Sequence, residues 1–306
     1  MKIQMFTRML AIAALLLTGT ASAQTWYGMA KPGNPDQAYD VAVGYDNDVY
    51  IINNAYDVYK WRWKNATGGG EGYNDYTNPS GGAWVKLGRP PSGASRITAS
   101  EFGGLYAVAG DSKVYFYNMY SNVWVATSSP AGVADIAFGL DGALYAAVQT
   151  SSGFFSYQYT GGGTWTRFNP NREGIRIATS HYDWNKNWPI VSSRDPGDGA
   201  SYYIPGVSNP FNGSWTAVGS GGELTVDYGG VMDKDPSGQS FELWRVGKFF
   251  NTLYRCPTYG SAGPNNCNWV STGVTAMNVA VSRWNNVVIR TTPTRQVYIS
   301  FDFRRQ

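Results

Sequence analysis

The sequence predicts an all-β protein in which one small sheet is repeated six times along the chain. Three observations support this: the composition, a recurring strand pattern and a recurring tryptophan. The 306 residues include 37 glycines, 22 tyrosines and 12 tryptophans, and only 15% of the residues are charged. Aromatic residues favour strands and glycines favour tight turns. No segment after residue 23 has the i, i+3, i+4, i+7 apolar spacing of a helix.

The recurring strand pattern is the innermost strand of each repeat. It occurs as DVAVG (40–44), RITAS (96–100), DIAFG (135–139), RIATS (176–180), ELTVD (223–227) and NVAVS (278–282). In all six copies the second position is aliphatic and the third is small. A strand covered on both faces within a tapering space requires this pattern. In the third copy, ADIAFGLDGALYA (134–146) continues into an Asp-Gly turn and a second strand, which is typical of a hairpin.

A tryptophan precedes each copy of the pattern, and two further strands follow it. The tryptophans are Trp26, Trp84, Trp124, Trp165, Trp215 and Trp269. The following strands are clearest in the first unit, as VYIINN (49–54) and VYKWRW (58–63). Each unit thus has four strands, and its length is that of a propeller blade, about 40 residues or somewhat more. Because the tryptophans recur once per unit, we expect them to pack in the core.

The two ends of the mature chain predict how the propeller closes. The chain begins with a tryptophan strand, TWYGMA (25–30), and ends with VYISFDF (297–303), which no tryptophan strand follows. We therefore predict a six-bladed β-propeller over residues 24–306, in which the N-terminal strand completes the last blade and removes an open sheet edge. A β-solenoid or a pair of sandwiches gives no reason for this offset between the ends.

The first 23 residues have the layout of a secretory signal peptide. Lys2 and Arg8 precede or flank an apolar run (10–17), and a small-residue A-x-A site stands at 21–23. Its removal leaves 22 basic against 21 acidic residues, a net charge of +1. A nearly neutral domain has no electrostatic footprint for nucleic acid, and no later stretch is apolar for long enough to span a membrane. We expect a secreted or periplasmic protein.

The two cysteines, Cys256 and Cys267, are separated by ten residues rich in Gly, Pro and Asn. In an exported protein such a pair predicts one disulfide across a loop. A single histidine, His181, and one cysteine pair supply no metal-ligand cluster. The stretch DKDPSG (233–238) resembles the start of a calcium loop, but Phe241 and Trp244 stand where later ligands are needed. Neither a metal nor a cofactor is expected.

The six units, with an outer tryptophan and the IAFGLDGALY run (136–145) of the third unit, resemble the tectonin-type β-propeller lectin family, the group of tachylectin-1 and the fish-egg lectins. The resemblance covers essentially all of residues 24–306. Membership would imply binding of glycans or lipopolysaccharide.

Two groups of residues are candidates for a ligand site. The first is the ring formed by the first position of each inner strand. Its members are Asp40, Arg96, Asp135, Arg176, Glu223 and Asn278. In a closed propeller these residues would encircle one mouth of the central channel, where the alternating charges form either an inter-blade ion-pair belt or a polar cup for a small ligand.

The second group is a set of aromatic residues at the corner after each inner strand. These residues are Tyr45, Phe102, Tyr182, Trp184, Trp188, Tyr228 and Trp284. At exposed corners they would stack on sugar faces, whereas in tight turns they would pack between blades. Trp184 and Trp188 are the strongest candidates, because HYDWNKNW (181–188) is longer than a hairpin turn needs.

An enzymatic function has little support in the sequence. There is no G-x-S-x-G motif, phosphate loop or C-x-x-C motif. Carboxylate pairs such as Asp46 with Asp48 and Asp195 with Asp198 stand in turn contexts, where Asp serves backbone geometry. The expected function is non-catalytic carbohydrate binding. Two alternatives stay open: a glycosidase or lyase built from distant carboxylates, and a protein-binding surface scaffold.

Overall fold

Antiparallel strands make up the regular structure of this chain, as the repeated pattern requires. The computed structural model describes residues 24–29, 37–44, 47–64, 81–100, 103–139, 143–168, 174–183, 186–193, 201–203, 216–217, 225–233, 241–247, 249–256, 268–282 and 287–301. Within these ranges the strands form six sheets of four.

The first three sheets follow the chain order from the innermost to the outermost strand. The first contains β2 (Ala38–Val43), β3 (Val49–Asn53), β4 (Val58–Arg62) and β5 (Ala83–Gly88). The second contains β6 (Ala94–Ala99), β7 (Leu105–Ala109), β8 (Val114–Asn118) and β9 (Val123–Ala126). The third contains β10 (Val133–Phe138), β11 (Leu144–Thr150), β12 (Gly153–Gly161) and β13 (Thr164–Arg167).

The last three sheets have the same layout, with one exception in the sixth. The fourth contains β14 (Gly174–Asp183), β15 (Lys186–Ser193), β16 (Ser201–Tyr203) and β17 (Thr216–Ala217). The fifth contains β18 (Thr225–Asp233), β19 (Phe241–Gly247), β20 (Thr252–Cys256) and β21 (Val270–Thr275). The sixth contains β22 (Asn278–Val281), β23 (Val287–Thr291), β24 (Val297–Phe301) and, as its outermost strand, β1 (Tyr27–Gly28).

The innermost strands contact one another in sequence around an axis. β2 contacts β6, and the succession continues through β10, β14, β18 and β22, which contacts β2 again. The prediction of an all-β propeller is confirmed.

The N-terminal segment lies against the last sheet. In β1, Tyr27 stands opposite Ile299 and Gly28 opposite Tyr298. The backbone N–H of Met29 donates to the carbonyl of Val297 at 3.0 Å. The hydroxyl of Ser300 donates to the carbonyl of Thr25 at 2.6 Å. Two ends of the chain that are 275 residues apart are therefore joined by backbone and side-chain hydrogen bonds.

The hydrophobic core lies between neighbouring sheets. Between the sixth and first sheets, Ile51 and Trp61 pack in one cluster with Ile289 and Ile299, and all four side chains are fully buried. The predicted aliphatic second positions are buried wherever they are described, at Val41, Ile97, Ile136, Ile177 and Val279. This burial is the reason the pattern repeats, since each such side chain removes apolar surface from water between two sheets.

In the first three sheets the outer tryptophan packs against an aromatic residue of the third strand and against the core, as expected. Trp84 lies 5.0 Å from Trp61, Trp124 lies 5.2 Å from Tyr117, and Trp165 lies 5.3 Å from Tyr159, measured between ring centroids. In the last two sheets an arginine takes the place of the aromatic partner: Arg245 lies 4.0 Å from the Trp269 ring and Arg290 lies 4.6 Å from the Trp26 ring. Trp215 lies outside the described residues.

A recurring turn joins the first, second, fifth and sixth sheets to the sheet that follows each around the axis. The turn between the second and third strands has a non-glycine residue with positive φ at Tyr56 (61°), Ser112 (58°), Asn251 (50°) and Arg295 (64°). The carbonyl of each accepts the N–H that begins the following sheet, from Ala94, Val133, Ala276 and Ala38 respectively, at 2.7–2.9 Å. A type I turn ending in a left-handed residue directs that carbonyl outward. Neighbouring sheets are thus linked by backbone bonds as well as by the apolar core.

Candidate functional site

The ring of first-position side chains is brought together at the axis by a repeated irregularity of the inner strands. In the first four sheets the ladder between the two innermost strands shifts register immediately before Asp40, Arg96, Asp135 and Arg176. The fifth sheet shifts between Thr225 and Asp227. A bulge re-aims the side chain that follows it, so these residues face their counterparts on other sheets.

In the fifth sheet the residue at this position is Asp227, and the predicted Glu223 lies outside the described residues. The register shift falls before Asp227, and the Oδ2 atom of Asp227 accepts the N–H of Val279 at 2.8 Å. The strand pattern does not identify Asp227, because Tyr228 and Gly229 stand where the other copies have an aliphatic and a small residue. Space explains the glycine, since a Cβ atom there would lie only 3.0 Å from Val279 Cγ2. The sequence signal for this position is the spacing of Asp227, which stands 51 residues before Asn278, the next member of the ring.

Three aspartates of the ring bind the backbone of the next sheet in the same way. Asp40 Oδ2 accepts the N–H of Ile97 at 2.9 Å, and Asp135 Oδ2 accepts that of Ile177 at 3.0 Å. Asp227 makes the equivalent bond to Val279. Sheets one and two, three and four, and five and six are therefore paired by buried carboxylates. Charge-assisted hydrogen bonds of this kind are stronger than neutral ones.

The remaining members of the ring complete the polar contacts at the axis. Arg96 lies between two carboxylates: its Nη1 is 3.5 Å from Asp40 Oδ1, and its Nε is 3.9 Å from Asp135 Oδ1. Asn278 Nδ2 donates to Asp40 Oδ1 at 3.2 Å. Arg176 Nη1 donates to the carbonyl of Ile175 on its own strand at 3.3 Å. Side chains from non-adjacent parts of the chain meet here, as the sequence predicts for Asp40, Arg96 and Asp135.

Burial controls the protonation of two of the aspartates. Burial raises the pKa of Asp40 to about 6, although the nearby Arg96 guanidinium lowers it. Burial and the charge of Asp40 raise the pKa of Asp227 to about 8, with Arg96 again acting in the opposite direction. Burial acts to lower the pKa of Arg96, but its attraction to Asp40, Asp135 and Asp227 raises the pKa overall. Burial and the neighbouring carboxylates therefore favour the protonated form of Asp227.

The chemistry available at the axis is that of hydrogen bonding within the protein. Each aspartate uses one carboxylate oxygen on a backbone N–H. Among the described residues no group of three His, Cys, Asp or Glu side chains has a geometry that could hold a metal ion. The geometry favours an inter-sheet belt over a polar cup, because the groups that line the axis bind one another and the neighbouring sheets.

Residues 181–183 and 186–188 lie in the paired strands β14 and β15, which corrects the interpretation of 181–188 as an expanded turn; residues 184 and 185 lie outside the described residues. His181 pairs with Asn187 and Asp183 with Lys186. β14 continues seven residues past Arg176, whereas β2 continues three residues past Asp40. At 3.3 Å per residue the β14–β15 hairpin extends about 13 Å farther from the ring than the β2–β3 hairpin. Its neighbour β18 continues six residues past Asp227.

The aromatic candidates occupy several kinds of position. Tyr182 is in β14, Trp188 is in β15 opposite Ser180, and Tyr228 is in β18 opposite Arg245. Tyr228 and Trp188 are thus strand residues and not corner residues. Tyr45, Phe102, Trp184 and Trp284 lie outside the described residues. Of the described candidates, the structure places Tyr182 and Trp188 on one extended hairpin and Tyr228 on the neighbouring sheet.

One surface feature was not anticipated from the sequence. The outermost strand of the second sheet and the turn before it expose Met119, Tyr120, Val123 and Val125. Trp124 in VWVA (123–126) predicts an outer strand, but the exposure of the two valines beside it follows only from the position of β9 at the sheet edge.

No protein-family model matches the chain, and neither does any curated protein. Several solved structures share the fold. A gluconolactonase from Xanthomonas campestris superposes with a TM-score of 0.60 at 11% identity, over 90% of this chain and 87% of that one. A putative gluconolactonase gives 0.58 at 10% identity, over 92% of each chain. YCF48 from Cyanidioschyzon merolae gives 0.51 at 14% identity, over 85% and 81%. At these identities the similarity establishes the propeller fold alone.

Proposed function

We propose that this chain is an exported, non-catalytic propeller that binds carbohydrate. We further propose that its six sheets are six blades and that the N-terminal strand closes the ring. The observation that carries the binding proposal is the extended β14–β15 hairpin, with Tyr182 and Trp188 in its strands and Trp184 between them. Aromatic rings presented on an extended element stack on the apolar faces of sugars. The resemblance to tectonin-type lectins supports the same ligand class.

Two properties of the molecule support binding without chemistry. The axial carboxylates accept hydrogen bonds from backbone N–H groups of neighbouring sheets. Their role is therefore to hold the sheets together. The mature chain carries a net charge of +1, which favours neutral or weakly charged sugars over polyanions. Several near-equivalent blades would also allow weak sites to act together.

We expect the Trp184→Ala/Trp188→Ala double variant to lose carbohydrate binding. Each lost stacking contact costs about 0.5–1.5 kcal/mol, so the Kd should rise about tenfold or more. A glycan array that includes lipopolysaccharide identifies the ligand, and calorimetry measures the Kd. The matched control is Phe249→Ala/Phe250→Ala, an exposed aromatic pair at the β19–β20 turn, which should bind as the parent does. If the parent binds no glycan on the array, the carbohydrate proposal is wrong.

One observation favours a second candidate, an enzyme that cleaves polysaccharide. Buried carboxyl groups with raised pKa values are typical of general acids, and Asp227 has a pKa of about 8. The same preparation should therefore be tested for release of reducing sugar. Activity in the parent that disappears in Asp227→Asn would replace the binding proposal with a catalytic one.

The export proposal has a direct chemical test. We expect the protein purified from the cell exterior or periplasm to begin at Gln24 and to be lighter by two hydrogens than the sum of its residues, because Cys256 and Cys267 are joined. Cys256 is fully buried at the end of β20, and no described cysteine is a free thiol; Cys267 lies outside the described residues. Intact mass and labelling without reductant measure both features. Two alkylated thiols would contradict the disulfide.

The described part of the chain has no helix that is long and apolar enough to cross a membrane. Residues 1–23, which carry the proposed signal peptide, lie outside that part.

A further inference from the structure

The outermost strand of the second sheet has an apolar, exposed edge. Val123 is 49% exposed and Val125 is 40% exposed, and they share one face of β9. The preceding turn exposes Met119 (44%) and Tyr120 (101%). Trp124, on the other face of β9, packs against Tyr117. Trp124 therefore holds β9 against its own sheet, while Val123 and Val125 on the opposite face are exposed to solvent.

Three other outer strands, β5, β13 and β21, differ from β9 in the way that protected sheet edges do. β5 carries Lys86, and β13 carries Arg167. The exposed positions of β21 are Ser271, Gly273 and Thr275. Charges and small polar residues keep sheet edges from pairing with other chains. By contrast, the sequence has no charged residue from 114 to 134, which includes β8, β9 and the turn between them.

The backbone of β9 has hydrogen-bonding groups directed away from its sheet. β9 pairs with β8 on one side and ends the sheet on the other. The N–H of Thr127 donates inward, to the carbonyl of Val114. Because the direction alternates along a strand, the N–H groups of Ala126 and Trp124 point outward. They are available to a strand that lies alongside.

We propose that β9 and the β8–β9 turn form an interface with a second copy of this chain, in which two β9 strands pair antiparallel across a two-fold axis. A two-fold axis brings each residue close to the same region of the other copy. Lys86 or Arg167 in that position would repel its own counterpart, whereas β9 is uncharged. The antiparallel arrangement also places the exposed Met119 and Tyr120 beside the far end of the opposing strand.

The dimer should be weak. β9 has four residues, so the contact is smaller than the roughly 1,200 Å² of a stable interface. We therefore expect a Kd between about 10 and about 200 µM, and a monomer in dilute solution.

Sedimentation velocity on residues 24–306, from about 1 to about 200 µM, tests the proposal. We expect the parent to shift from monomer towards dimer over this range. Val125→Lys places two like charges in the interface and should keep the protein monomeric throughout. Ala126→Pro removes one outward N–H without touching the ladder to β8 and should do the same, since edge strands tolerate proline where the N–H faces solvent. If Val125→Lys fails to fold, Ala126→Pro decides the result.

The control is Thr164→Lys, an exposed position on the outer strand β13, which should dimerise as the parent does. A parent that stays monomeric at all concentrations would overturn the proposal and leave β9 to a different partner. Dimerisation that survives both β9 variants, or that Thr164→Lys also abolishes, would overturn it as well.

Discussion

Deleting residues 24–30 is expected to cause aggregation or a fall in Tm of about 10 °C or more. The deletion removes β1 and leaves the outer edge of β24, which still pairs with β23 on its other side, without a partner strand. It also removes Met29, which is buried between the sixth and first sheets, and Trp26, which packs against the cluster between the fifth and sixth. Loss of a fully buried tryptophan costs about 3–5 kcal/mol; Trp26 is partly buried, but its loss adds to that of buried Met29 and of the strand pairing, and each kcal/mol lowers the Tm of a domain of this size by about 2–4 °C. Differential scanning calorimetry measures the change.

The control for this deletion restores the strand at the other end of the chain. Residues 24–30 attached after Gln306 would follow β24 as an antiparallel hairpin, because Tyr27 stands opposite Ile299. In the other five sheets the third and fourth strands are consecutive in the chain. This rearranged chain should regain most of the lost Tm. A deletion variant that melts with the parent, or a rearranged chain that stays as unstable as the deletion, would refute closure by the N-terminal strand.

Raising the pH from about 5 to about 9 is expected to destabilise the protein, and Asp227→Asn is expected to remove much of that effect. The pKa of Asp227 is raised from 3.8 to about 8 by burial and by the charge of Asp40. Between these values the folded state holds a proton that the unfolded state has lost. Stability therefore falls as the pH rises through this window and levels off once the folded state ionises as well.

Melting curves across this pH range measure the effect. Asp227→Asn keeps a carbonyl oxygen for the N–H of Val279 and cannot ionise, so its Tm should exceed that of the parent at high pH. A smaller slope below pH 6 should remain, because burial raises the pKa of Asp40 to about 6. Asp111→Asn, in an exposed turn, is the control and should follow the parent. If the parent and Asp227→Asn have the same pH profile, Asp227 does not hold the proton.

The sequence was sufficient to predict most of the fold, because the signals were local and repeated. An aliphatic residue followed by a small one identifies an inner strand wherever burial on both faces restricts the choice, as at Val41 and Ile136. The tryptophans before each unit indicated the outer strands, and Trp84, Trp124 and Trp165 pack there. The strand order at the chain ends predicted that β1 would meet β24. Each of these properties depends on side-chain size and polarity along the chain itself.

Only the tertiary structure decided the candidate site and the exposed edge. Asp227 belongs to the ring because its carboxylate reaches the N–H of Val279, 52 residues away, and its pKa depends on burial and on Asp40 from another sheet. The stretch 181–188 reads locally as a loop, but its ladder continues to Asp183 and Lys186. Trp124 predicts that β9 is an outer strand, but the exposure of Val123 and Val125 follows from the position of β9 at the edge of its sheet. Local pattern specifies which residues form strands, whereas burial, charge and edge position arise from contacts between segments far apart in the chain.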